Sequence, residues 1–162
     1  MDLPVIARLK KELADLKYEL TVKLPKELQT AAAHGDLSEN AEYEAAKSRQ
    51  DFVRSRIGQL EGRVRELSMY TIASIPHGVV AYGSRVTVED VDEGGETLYM
   101  IVFPEEVDVA KGQISLSSPI GRALLNRVVG DEVEVQTPGG KRTYQIVELV
   151  TLHELQRETE GN

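Results

Sequence analysis

Two apolar heptad runs, separated by a short break that contains a glycine, constrain this chain more than any other feature. Ile6, Leu9, Leu13, Leu16 and Leu20 recur at alternating steps of 3 and 4, which lays one apolar stripe along a helix and obliges it to pair with another. Leu24 and Leu28 prolong the stripe past Pro25, where a kink is expected because proline has no amide hydrogen to give to the preceding turn. A second run, Phe52 or Val53 followed by Ile57, Leu60, Val64 and Leu67, keeps the same rhythm. Between the runs sits Ala31-Ala32-Ala33-His34-Gly35-Asp36. Gly35 suits a helix C-cap, His34 the negative end of the helix dipole, and Asp36 the cap of the helix that follows. The sequence therefore predicts an antiparallel hairpin of two helices over residues 1–75, with about 28 residues in each arm and a length of roughly 40 Å. Such a hairpin, with its single thin seam, serves as a dimerisation or scaffolding device unless its tip carries chemistry.

After Ser74 the composition changes. The first 70 residues hold two prolines and three glycines, whereas glycines, Val-rich runs and turn pairs become frequent beyond that point, so a domain boundary is expected near Thr71–Gly78. Arg85–Glu89 and Leu98–Val102 flank Asp92-Glu93-Gly94-Gly95, and Glu132–Val135 and Thr143–Val147 flank Pro138-Gly139-Gly140, which are two hairpin signals. Ser118 followed by Pro119 opens a short helix through Leu125, with serine as N-cap and proline in the first turn. The expected fold class is α+β in two domains, the second (78–157) a small antiparallel sheet packed on one short helix. Gln156 to Asn162 reads as a frayed end, with 158–162 as a flexible tail.

Charge and composition exclude several function classes. The formal charge of −8 is divided unevenly: residues 1–75 hold 12 Lys/Arg against 12 Asp/Glu, and residues 76–162 hold 7 against 15. That is not the balance of a basic protein that coats a duplex. Two phenylalanines, six tyrosines and no tryptophan argue against a platform that stacks bases. The lack of cysteine removes disulfides, thiol catalysis and cysteine-ligated zinc. No apolar run approaches the roughly 20 residues that span a bilayer, and Met1-Asp2-Leu3-Pro4 opens no signal peptide. A cytoplasmic protein with no membrane partner and no small-molecule substrate is expected.

The most informative segment is His34-Gly35-Asp36-Leu37-Ser38-Glu39-Asn40-Ala41-Glu42-Tyr43. Asp36 and Glu39, three residues apart at the expected start of the second helix, can place their carboxylates on one side of the tip. The same spacing also describes an N-cap followed by a capping-box acid. Leu37, an apolar residue at the end of a rod, speaks for an interaction there. Two carboxylates do not hold Mg²⁺ tightly by themselves, because the ion takes six oxygens in octahedral geometry. A metal at this tip would therefore need a partner to supply the remaining ligands. Lys47 and Arg49, two or three turns along the second helix, could touch a phosphate backbone, or they could be the solvated flank of a coiled coil.

Gly35-Asp36-Leu37-Ser38-Glu39-Asn40-Ala41-Glu42-Tyr43, followed by Ala45-Ala46-Lys47, resembles the tip signature of the Gre-type bacterial transcript cleavage factors, a family of transcription elongation factors, and within it the GreA branch. The likeness continues in order through Val86–Asp90, Ile114–Leu125, Gly130–Val133 and Thr137–Gly140. It implies an N-terminal antiparallel coiled coil and an FKBP-like C-terminal domain. It further implies that the C-terminal domain docks at the rim of the secondary channel of bacterial RNA polymerase. The coiled coil would then reach the active centre, where the acidic pair helps to hold a second Mg²⁺ and a water while the polymerase cleaves the 3′ end of backtracked RNA. On this resemblance Asp36 and Glu39 match the metal-assisting pair, Lys47 matches a basic position facing the RNA, with Arg49 beside it, and Ser117, Ser118 and Pro119 match the loop that faces the rim. Ala32 stands where relatives often carry arginine, and Ser117 where some carry an acid.

The implied activity is that of a cofactor protein that activates the polymerase's own cleavage, not of an enzyme. An alternative is a Gre-like protein that occupies the channel and inhibits without stimulating cleavage; retention of both acids favours the first reading. A prolyl isomerase, suggested by the FKBP-like fold alone, would need an apolar, aromatic-lined pocket, and this half offers only Tyr82, Tyr99, Phe103 and Tyr144. Fold by itself does not confer activity.

Overall fold

A computed structural model describes residues 3–35 and 40–161. The chain divides between Ser74 and Ile75 into two compact units.

In the first unit, helix α1 (Pro4–Tyr18) runs through a π-helical turn (Glu19–Lys23) into α2 (Leu24–Ala32), and α3 (Ala41–Leu67) forms the other arm. Pro4 opens α1, where its missing N–H would have had no partner anyway. The kink expected at Pro25 takes the form of the π turn. Pro25 gives no hydrogen to the Thr21 carbonyl four residues back, and its ring crowds that oxygen. The chain widens there, so that the Leu24 amide bonds to Glu19 O, five residues back.

The seam follows the heptads. Ile6, Leu9, Leu24 and Ala31 are buried on one arm, and Ala46, Val53, Leu60 and Leu67 on the other. The second set recurs every seven residues, whereas the intervening Ile57 and Val64 are half-buried, as happens when no third helix covers the seam. Phe52 is 57% exposed, so Val53 is the residue that fills the core. Ion pairs among the described residues join the arms: Arg56 with Glu12, Arg49 with Glu19 and Lys17 with Glu61. The first two lie one heptad apart in both arms, as an antiparallel pairing requires.

One local expectation is corrected. α3 begins at Ala41, capped by Asn40, whose Oδ1 accepts from the Tyr43 amide at 3.0 Å. Asn40 thus holds the cap position of α3; Asp36, the expected cap, lies outside the described residues, and both acids precede α3 in sequence. At the other end of the break Gly35 takes a φ of +117°, which glycine adopts without strain.

The second unit is a five-stranded sheet: β1 (Arg85–Asp90), β2 (Glu96–Val102), β3 (Gln113–Ser115), β4 (Glu132–Thr137) and β5 (Gly140–Val150), in the order β3-β2-β1-β5-β4. Both expected hairpins form, with Glu89 opposite Glu96 and Thr137 opposite Gly140. The sheet is antiparallel except at one edge, where the short β3 runs parallel to β2. Val80, Val86, Val88, Ile101, Val133, Val135 and Ile146 form one core with Leu124, contributed by the short helix α4 (Pro119–Leu124). The C-terminal residues expected to fray from Gln156 are instead helical through Glu160, in α5 (Leu152–Glu160). Thr151 caps that helix, its Oγ1 accepting from the Glu154 amide at 3.3 Å. Among the described residues no helix is long and apolar enough to cross a membrane.

Candidate functional site

Asp36 and Glu39 lie outside the described residues, and the site is built from the chain on either side of them. α2 ends in small residues, and the Ala33 and His34 amides bond back to Gln29 O at 3.2 Å and Ala31 O at 3.1 Å. These bonds satisfy carbonyls that the last helical turn leaves without partners. Asn40 reaches both sides of the break. Its Oδ1 caps α3 through the Tyr43 amide, and its Nδ2 donates to Ala31 O at 2.6 Å.

The two cations behave differently. Arg49 forks onto Glu19, with Nε 2.8 Å from Oε2 and Nη2 3.0 Å from Oε1, and its guanidinium lies 5.1 Å from the centre of the Phe52 ring. Hydrogen bonds from Arg49 hold the Glu19 carboxyl below its ordinary value, and the same bonds raise Arg49 above its own. Lys47 is exposed, and among the described residues no carboxylate pairs with it. Beside them runs a groove of about 490 Å³. Ala31, Ala45 and Ala46 lie along it, with Lys26, Glu42 and Arg49 among its polar lining.

The predicted docking residues sit at the edge of the second unit, in the turn from β3 to α4. The Ser117 amide donates to Ser115 Oγ at 3.0 Å, and the two hydroxyls lie 2.7 Å apart. Ser118 Oγ donates to Ser115 O at 2.6 Å and accepts from the Gly121 amide at 3.1 Å. Ser118 is thus the expected cap, and the network presents Ser117 and Pro119 outward, both exposed. The turn tolerates no bulk beneath it: a Cβ on Gly121 would clash with Ser115 O.

Among the described residues no three His, Asp or Glu side chains gather in a way that could hold a metal ion. Asp36 and Glu39 are hard oxygen donors of the kind Mg²⁺ takes, and they supply at most part of its six-oxygen shell. Sequence reasoning missed two residues, one beside the break and one in the middle of the first arm. Asn40 had a usable signal, since Asn is among the best N-caps and stands directly before an Ala-rich helix start. Glu19 had one in the heptad phase, because it faces Arg49 once the arms are laid antiparallel.

Two family models match the chain, one in each unit. Residues 5–68 match the family model described as the N-terminal part of transcription elongation factors, and residues 75–150 match the model for the C-terminal part of GreA/GreB. The transcription elongation factor GreA of Alkalilimnicola ehrlichii is 43% identical over 146 residues, covering 88% of this chain and 90% of the relative. That of Anaeromyxobacter is 41% identical over 149 residues, covering 92% and 90%. Among solved structures, the GreA factor homolog 1 of Thermus thermophilus is 31% identical, with 90% of this chain and 94% of the other covered and a TM-score of 0.41.

Proposed function

Because this chain belongs to the GreA/GreB family of transcription elongation factors, we propose that it enters the secondary channel of bacterial RNA polymerase and stimulates cleavage of the 3′ end of backtracked nascent RNA. The observation that carries this reading is the presence of both acids, Asp36 and Glu39, in the short break between α2 and α3 of a chain from that family. Asp36 and Glu39 contribute carboxylate oxygens to a Mg²⁺ held jointly with the polymerase. That ion, when bound, would lower the pKa of a coordinated water and neutralise charge on the reacting phosphate. A pair of carboxylates without further protein ligands leaves most of the shell to the partner, so the chain is an activator and not a nuclease.

The other residues bind and orient. Lys47, exposed and without a described partner, faces the RNA backbone as a point charge, with Arg49 beside it restrained by Glu19. Ser117, Ser118 and Pro119 face the polymerase rim. The second half, with 15 acids against 7 bases, suits a basic surface, and attraction of that kind speeds docking and weakens with salt. The cytoplasm, where bacterial polymerase works, is the compartment this reading requires.

The test is an RNA cleavage assay on a stalled, backtracked elongation complex. The parent protein should shorten the RNA, and Asp36→Ala or Glu39→Ala should abolish that effect while still competing with the parent for polymerase. The purified chain alone, in millimolar Mg²⁺, should cleave nothing. A parent protein that slows the polymerase without shortening RNA is instead a channel-binding inhibitor. Full cleavage by either acid variant would remove the metal role.

A further inference from the structure

From the two bonds of its carboxamide, we infer that Asn40 is a positioning residue for the acidic pair, acting as a clasp across the break as well as a helix cap. The inference rests on the reading of Asp36 and Glu39 given above. Capping α3 needs only an oxygen that accepts from the Tyr43 amide at 3.0 Å, and serine, threonine or aspartate would supply one equally well. Asn40 does something those residues do not. Its Nδ2 donates at 2.6 Å to Ala31 O, nine residues back in the last turn of α2.

Ala31 is buried in the seam, 3% exposed, and its carbonyl also receives the His34 amide at 3.1 Å. The acceptor is therefore fixed to the body of the hairpin. The Asn40 backbone is fixed as well, since its carbonyl accepts from the Glu44 amide at 3.1 Å. One side chain thus ties the end of one helix to the start of the next. The chain that leaves Ala31 and returns at Asn40 carries both acids, one of them adjacent to Asn40 in sequence. Closing a short loop at its base reduces the conformations open to everything within it. A displacement of about 1 Å in a group that helps to hold reacting atoms can cost about 100-fold in rate.

Two full-length variants separate the clasp from the cap. Asn40→Asp keeps an excellent cap oxygen, yet its ionised carboxylate only accepts hydrogen bonds. Asn40→Ser keeps a neutral cap oxygen, and its hydroxyl is too short to span to Ala31. Both are assayed on the backtracked polymerase complex beside the parent and Asp36→Ala, with the thermal midpoint of each free protein recorded. Both should retain the parent's midpoint and its competition for polymerase. Stimulated cleavage should fall about 10- to 100-fold, and the Mg²⁺ concentration for half-maximal cleavage should rise. If both variants cleave within about twofold of the parent while Asp36→Ala is inactive, the clasp is overturned and the metal role stands. If Asp36→Ala itself cleaves like the parent, the reading beneath falls and the clasp with it. A loss of cleavage that follows a lowered midpoint and is recovered on cooling would reduce Asn40 to a helix cap.

Discussion

Arg49 closes on Glu19 across the hairpin as a two-pronged fork, Nε to one carboxylate oxygen at 2.8 Å and Nη2 to the other at 3.0 Å. Glu19 is the first residue of the π turn, so the fork pins the irregular part of one arm to the regular helix of the other. Its consequence for pH has a definite sign. Because Arg49 holds the folded carboxyl below its ordinary 4.5, the unfolded chain takes up the proton first. The stabilisation is complete above that ordinary value and is lost as the pH falls through the lower folded one. Glu19→Gln should therefore have a lower thermal midpoint than the parent near neutrality, and the gap should close in acid. The pair is exposed, so added salt should also narrow the gap. A gap that persists unchanged in acid would mean that Glu19 contributes through packing.

The seam predicts an ordering of substitutions. Leu60→Ala empties a position that is 2% exposed and should cost about 2–5 kcal/mol. Ile57→Ala, at a half-buried position on the same arm, should cost less, and Phe52→Ala should barely move the urea midpoint. Equal losses at Leu60 and Phe52 would mean that the hairpin packs in another phase.

Gly121→Ala should distort the turn that carries Ser117 to Pro119. The added carbon meets backbone, clashing with Ser115 O and lying 3.0 Å from Leu116 Cα, so no rotamer change relieves it. A cost of about 1–3 kcal/mol is expected from such overpacking. The same variant should lose affinity for polymerase while leaving the helicity of the first unit intact. Unchanged binding by a destabilised variant would place the docking contact elsewhere.

Lys47 and Arg49 make opposite predictions. Lys47→Ala should reduce stimulated cleavage at low salt, with the deficit shrinking as salt rises, because an exposed charge acts through a screened field. Glu19→Gln releases Arg49 from its fork and should raise cleavage at low salt by giving the RNA a second cation. Should Glu19→Gln leave cleavage unchanged while Arg49→Ala lowers it, Arg49 reaches the RNA without leaving Glu19.

Much of this was legible in the sequence, for identifiable reasons. The heptads of α1 and α3 state their own period, and Ser118-Pro119 states its own cap. The hairpin strands alternate over glycine-bearing turns. What was not legible depends on contacts distant in sequence. Val53 and Phe52 are both apolar neighbours, and only the facing arm decides which of them is buried. The parallel β3 has three residues, too few to show a period, and it exists because β2 offers it an edge. The start of α3 lies later than the sequence suggests because Asp36 and Asn40 are both good cap residues, and the described helix begins directly after Asn40. Arg49 read as an available cation because Glu19, its partner, lies 30 positions away.

The π turn at Glu19–Lys23 inserts one residue's worth of winding into one arm and none into the other. It acts as a phase adjuster between the base of the hairpin and its far end. Removing a single residue from that turn would let it close into an ordinary α turn with Leu24 and Ala31 still on the seam, whereas removing one elsewhere in the arm would rotate everything beyond the cut by about 100° around the helix axis. A one-residue shortening of the first arm should therefore be tolerated at Glu19–Lys23 and lost as misfolded elsewhere in α1 or α2.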